Sequence, residues 1–219
     1  MTRGRQHGRA IALAGGGPLG AIYEVGALMA LSEALDGFDF NDLDVYVGVS
    51  AGGFIAAGLA AGLSPAYLYR MFIDSEEAEV PFEPELLLRP ALREYAARAG
   101  RLPGLLAEAV RELLRNPLRP DPVASFARLA RAIPAGVFDS EGIDQFLTRL
   151  FARIGIANDF RRLPRRLYLV ATELDSGRAV AFGTPGLDHV PISRAVQASA
   201  ALPGLFPPVL IGDRWYVDG

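Results

Sequence analysis

The chain has 219 residues, 51% of them hydrophobic, with a formal net charge of −3. That is enough for one sizeable core, and it carries too little positive charge for broad attraction to nucleic acid. There is no cysteine and no lysine, and all 22 basic residues are arginine. Disulfides, thiol catalysis, cysteine-held zinc, lysine Schiff bases and the phosphate-gripping lysine of a P-loop are thereby excluded.

Arg3, Arg5 and Arg9 precede an apolar run in the manner of a signal peptide, but Gly15-Gly16-Gly17-Pro18 would break its apolar core. Residues 10–14 read instead as a first buried strand, because short uninterrupted apolar runs suit strands covered on both faces. A glycine turn follows, then a predicted helix over 21–35. Its apolar positions Ile22, Val25, Leu28, Met29 and Leu35 fall at helical steps, and Gly37 is placed to cap it. Residues 45–63 carry no charge and approach membrane-spanning length. A turn sequence in their middle divides them into a second strand over 44–49 and a buried helix over 54–63. This strand–helix–strand–helix order argues for an α/β fold with a mostly parallel central sheet.

Residues 74–134 are rich in Pro and Arg and predict a helical insertion within one domain spanning 1–219. Leu105, Leu106, Ala109, Val110, Leu113 and Leu114 form one apolar stripe there, flanked by charges. It is expected to pack on the core; a lid or a lipid-touching face is the sharper alternative. Beyond it, a helix is expected over 140–154. A hairpin of strands 167–173 and 178–182 follows, joined at Asp175-Ser176-Gly177. A helix over 192–200 comes next, and short strands over 209–211 and 215–217 close the chain. There is no internal repeat.

The chemistry concentrates in three places. Gly48-Val49-Ser50-Ala51-Gly52 follows a strand and precedes a helix, the setting a G-x-S-x-G nucleophile elbow needs. A serine hydroxyl is a poor nucleophile without a base, and neither histidine, His7 or His189, sits in a recognisable partner motif. A carboxylate acting directly on Ser50 is the better candidate. Gly15-Gly16-Gly17-Pro18-Leu19-Gly20 lies between a strand and a helix N-terminus, where backbone N–H groups can face an anion. Such a turn serves either as an oxyanion hole or as a pyrophosphate cradle, since Gly15, Gly17 and Gly20 also satisfy G-x-G-x-x-G. The dinucleotide reading wants an acidic residue at the end of the second strand. Asp39, Asp42 and Asp44 precede or open that strand instead. Ser199, a rival nucleophile, lies in a helix-like segment without an elbow and is expected to bond nearby backbone. Arg194 reads as a structural or surface charge.

These motifs, in order, with Asp218-Gly219 at the end, resemble the patatin-like phospholipases. Two further segments, Ala171-Thr172-Glu173-Leu174-Asp175-Ser176-Gly177 and residues 198–208, are similar to that family. The resemblance runs from about Arg9 to Gly219 and is thin over 74–134. It implies a three-layer α/β/α domain and a lipid acyl hydrolase that uses a Ser50–Asp218 dyad without catalytic histidine, metal or organic cofactor. In that scheme Gly15, Gly16 and Gly17 form the oxyanion turn, and Gly20, Gly48, Gly52 and Gly219 support the motifs. The expected partner is a lipid or ester substrate, with peripheral contact to a membrane and a cytoplasmic location. Two departures stand out. Leu19 occupies a position where many members carry Arg or Lys, and members continue beyond the D-G motif, so a domain shortened at its C-terminus is expected. The competing readings are a transacylase or general esterase, a non-catalytic lipid-binding relative, and a Rossmann-type dinucleotide-binding protein.

Overall fold

The computed structural model describes residues 8–74, 80–82 and 136–219. The predicted insertion over 74–134, with its 105–114 stripe, lies almost wholly outside the described residues. In chain order the described elements are β1 (Ala10–Leu13), α1 (Gly17–Ala34), β2 (Val45–Val49), α2 (Ala51–Ala60) and α3 (Pro65–Phe72). They continue with α4 (Glu141–Arg153), a 3-10 turn (Phe160–Arg162), β3 (Arg166–Glu173), β4 (Ala179–Phe182), α5 (Ile192–Ser199), β5 (Val209–Ile211) and β6 (Arg214–Val217).

Six strands form one sheet. β1, β2 and β3 pair in parallel, while β3–β4, β3–β6 and β6–β5 pair antiparallel. Since β5 opposes β6 and β6 opposes β3, β5 runs the same way as β1, β2 and β3. The mostly parallel sheet expected of an α/β/α fold is therefore present in strand direction, with helices flanking it. Register explains what comes next. Thr172 of β3 pairs with both Ala179 of β4 and Val217 of β6, so those two strands lie on opposite edges of β3. Leu169 and Val170 pair with both β2 and β4. Hence β2 and β6 share one edge of β3 and run towards each other, Val49 stopping opposite Val170 and Val217 opposite Thr172. The C-terminal ends of two strands distant in sequence meet head to head.

The uncharged run 45–63 divides as expected into β2 and α2. Every α2 residue from Gly52 to Ala60 is buried, which an all-apolar helix requires. It packs on β1, β2 and β3 beneath α1, α3 and α5. Two helices start earlier than predicted. α1 begins at Gly17 because the glycine turn itself winds into the first helical turn, with Gly20 N–H donating to Gly16 O at 3.0 Å. α2 begins at Ala51, directly after Ser50. Helix α3 was not foreseen, although its start signal is present. Ser64 accepts from Tyr67 N–H as N-cap and Pro65 opens the first turn. Tyr46, Leu59, Leu68, Leu147, Leu150 and Leu169 are among the fully buried side chains of the core.

Candidate active site

At the end of β2 the backbone turns sharply. Ser50 has φ 54° and ψ −125°, and among the described residues no other non-glycine has a positive φ. Strain of this kind persists only where the surroundings impose it. The two flanking glycines show how. A Cβ on Gly48 would lie 2.5 Å from Gly53 Cα, and one on Gly52 would run into the Ala14 carbonyl. Gly52 N–H donates to that same carbonyl at 3.1 Å, tying the elbow to the glycine turn.

Ser199 adds a clamp. Its fully buried Oγ accepts from Ser50 N–H at 2.8 Å and donates to Val170 O at 2.5 Å. A continuing β2 would have satisfied that edge of β3, and the hydroxyl bonds it after the chain turns away. The expectation that Ser199 bonds backbone holds, and one partner is the nucleophile candidate itself.

Ser50 precedes α2 without capping it, so its hydroxyl is free to donate elsewhere. It donates to Asp218 Oδ2 at 2.7 Å. The two residues are 168 apart in sequence and meet because β2 and β6 end against each other on β3. Asp218 N–H donates to Ala201 O at 3.0 Å, and Gly219 fits only without a side chain, since a Cβ there would lie 2.6 Å from Val170 O. Burial pushes the Asp218 carboxyl above its ordinary value of 3.8, while bonds from the Ser50 hydroxyl and the Gly219 backbone pull the other way.

Both residues line a chamber of about 550 Å³. Gly15, Gly16 and Gly17 line it too, at the N-terminus of α1, where unpaired N–H groups and the helix dipole favour negative charge. Gly15 lies so close that a Cβ would stand 3.0 Å from Ser50 Cβ. Gly16 and Gly17 have φ of 149° and 59°. The remaining described lining is apolar and includes Ala21, Phe54, Phe72, Phe82, Phe138 and Phe206. Sequence reasoning missed these walls, because they come from separate segments with no common period. His189 is exposed and absent from the described lining, and His7 lies outside the described residues. Leu19 stands outside the chamber with 80% of its surface exposed. Arg194 bonds Glu141, Gln197 and the Leu210 carbonyl, a structural role.

The patatin-like phospholipase family model matches residues 11–219. The chain belongs to that family. Its fold is similar to that of VipD from Legionella pneumophila, at 19% identity and a TM-score of 0.50, over 97% of this chain and 46% of VipD. The type III effector ExoU also matches, at 22% identity and a TM-score of 0.44, over 90% of this chain and 40% of that one. ExoU in its complex with SpcU from Pseudomonas aeruginosa matches at 26% identity and a TM-score of 0.39, over 90% and 37%. This patatin-like chain thus spans less than half the length of these proteins. Among curated proteins none matches significantly. No helix among the described residues is long and apolar enough to cross a membrane.

Proposed function

We propose that this patatin-like chain is a lipid acyl hydrolase in which Ser50 is the nucleophile and Asp218 the base. The observation that carries the reading is the 2.7 Å Ser50 Oγ–Asp218 Oδ2 hydrogen bond in the lining of an otherwise apolar chamber. As Oγ attacks an ester carbonyl, Asp218 takes its proton and then returns it to the leaving alcohol. Backbone N–H groups of the Gly15–Gly17 turn face the developing oxyanion; one such donor typically contributes about a hundredfold to a thousandfold in rate. Water then attacks the acyl-serine as Asp218 takes its proton, and Asp218 returns that proton to Ser50 Oγ as the ester bond breaks and the fatty acid leaves. The chamber volume suits an acyl chain, and its apolar walls give that chain a place out of water.

A fluorophosphonate probe tests the reading. Labelling of the folded protein that vanishes in Ser50→Ala, with matching loss of fatty-acid release from phospholipid vesicles, is the expected result. Absence of labelling in the folded wild type leaves the non-catalytic relative, and saturable NAD(H) binding would favour the dinucleotide reading.

A further inference from the structure

Among the described residues, two separated segments carry exposed apolar side chains at or beside the chamber lining, as an apolar rim. On one side α1 presents Leu19, Ile22 and Tyr23, exposed to 80%, 43% and 77%. On the other, the loop after α5 presents Leu202 and Leu205, exposed to 50% and 38%. Ile22, Leu202 and Leu205 also line the chamber, so one continuous surface runs from its walls to the outside. Residues 15–23 and 198–211, which supply these side chains, contain no charged residue of either sign. Before Glu24, helix α1 is apolar on both its faces, with Ala21 buried inwards and Leu19 and Tyr23 turned outwards. An apolar outer face of this kind calls for cover.

We propose that this rim docks the chain onto an electrically neutral lipid surface, with Leu19 and Tyr23 inserted among the lipids beside the chamber mouth. This rests on the reading of Ser50 as a lipid acyl hydrolase. Charge selects the occupant. The described rim segments carry no charge and so offer no complement to an acidic or basic polypeptide, nor to anionic headgroups, whereas zwitterionic lipid needs none. Position argues likewise. A second copy seated on the rim would seal the chamber, while a lipid surface feeds acyl chains into it along a path that crosses no charged residue of the rim segments. Tyr23, an apolar ring with a polar tip, suits the boundary between acyl chains and water.

Flotation with phosphatidylcholine vesicles tests this, using Ser50→Ala protein so that binding is read without turnover. The protein is expected to float with these vesicles, and high salt or added phosphatidylserine should change the partition less than about twofold. Leu19→Glu with Tyr23→Glu should weaken partition by at least about tenfold, while Tyr23→Trp should strengthen it. With Ser50 restored, the double glutamate variant should lower the ratio of vesicle phospholipid hydrolysis to hydrolysis of a monomeric short-chain ester by a similar factor. Partition unchanged by the glutamates, binding confined to anionic vesicles, or a dimer that dissociates in the glutamate variant would each overturn the proposal. Vesicle binding that survives while fluorophosphonate labelling fails would overturn the hydrolase reading and leave the docking surface standing.

Discussion

Among the described residues, Asp218 and Glu24 are the two carboxylates whose environment works against their charge. For Asp218 burial is the larger effect, so the folded chain holds its proton more tightly than the ordinary value of 3.8 implies. Its stabilising contribution is therefore full below that value and is lost as pH rises through the raised one. A base must be ionised to accept the Ser50 proton, so kcat/KM should fall on the acid side with a midpoint above 3.8. Asp218→Asn should lower kcat by about a thousandfold while leaving Tm at neutral pH unchanged or higher, because an amide still accepts from Ser50 and carries no buried charge. Calorimetry beside an esterase assay checks both halves; a large fall in Tm would place Asp218 among the structural residues. Glu24 is raised by burial from 4.5 to about 7, against a hydrogen bond from the Ala14 backbone, and its buried Oε2 has no hydrogen-bond partner among the described residues. Its contribution to stability is full below 4.5 and lost as pH rises through about 7. Denaturant titrations across pH 4–8 should show Glu24→Gln flattening that decline.

At the scale of elements, the site depends on how α5 is seated. Its C-terminal Ser199 holds the end of β2 to β3. Its N-terminal Ser193 is bonded to Asp144 of α4, with Asn158 donating to Ser193 Oγ and accepting from Ser193 N–H. Removing the Ser199 hydroxyl would leave Ser50 N–H buried without a partner, a cost of about 1–3 kcal/mol. Ser199→Ala should therefore lower stability by about that amount, and lower kcat with KM nearly unchanged, because Ser199 is not part of the described chamber lining. A rise in KM with kcat intact would contradict this role. The same scale explains which elements were legible. β1, β2, α2, α4 and the β3–β4 hairpin follow from apolar runs and turn residues. The start of α1 was not, since glycines read as a loop until Gly20 is seen bonded back to Gly16. α3 could have been read from Ser64-Pro65, a local start signal that its short length hid.

At the scale of the molecule, the chamber is assembled from the glycine turn, α1, the elbow, the end of α3, Phe82, Phe138, the start of α4, the loop after α5 and the end of β6. Phe54, Phe72 and Phe82 pack against one another with ring centroids 5.1–5.6 Å apart, giving it one stiff aromatic wall. Space inside it should set acyl preference. Ala21 is 4% exposed and lines the chamber, so Ala21→Phe should lower kcat/KM for long-chain esters by about tenfold or more relative to acetyl esters, since each methylene excluded forfeits about 0.8 kcal/mol. Equal effects on both would show that acyl chains lie elsewhere.

The sequence by itself determined the chemistry-bearing loops. Gly48, Gly52 and the Gly15–Gly17 turn are written as glycine because backbone contact and positive φ are demands made within a few residues, and such demands leave their mark locally. Asp-Gly is a common turn dipeptide, and Asp218 was singled out only by the family resemblance of the ordered motifs. Only the tertiary structure decided that Asp218 meets Ser50, that Ser199 grips the elbow, and that an apolar chamber opens beside Leu19 and Tyr23. Those outcomes follow from β6 running against β2 along one edge of β3, and a pairing between segments so far apart is set by packing and register, which no short pattern of residues records.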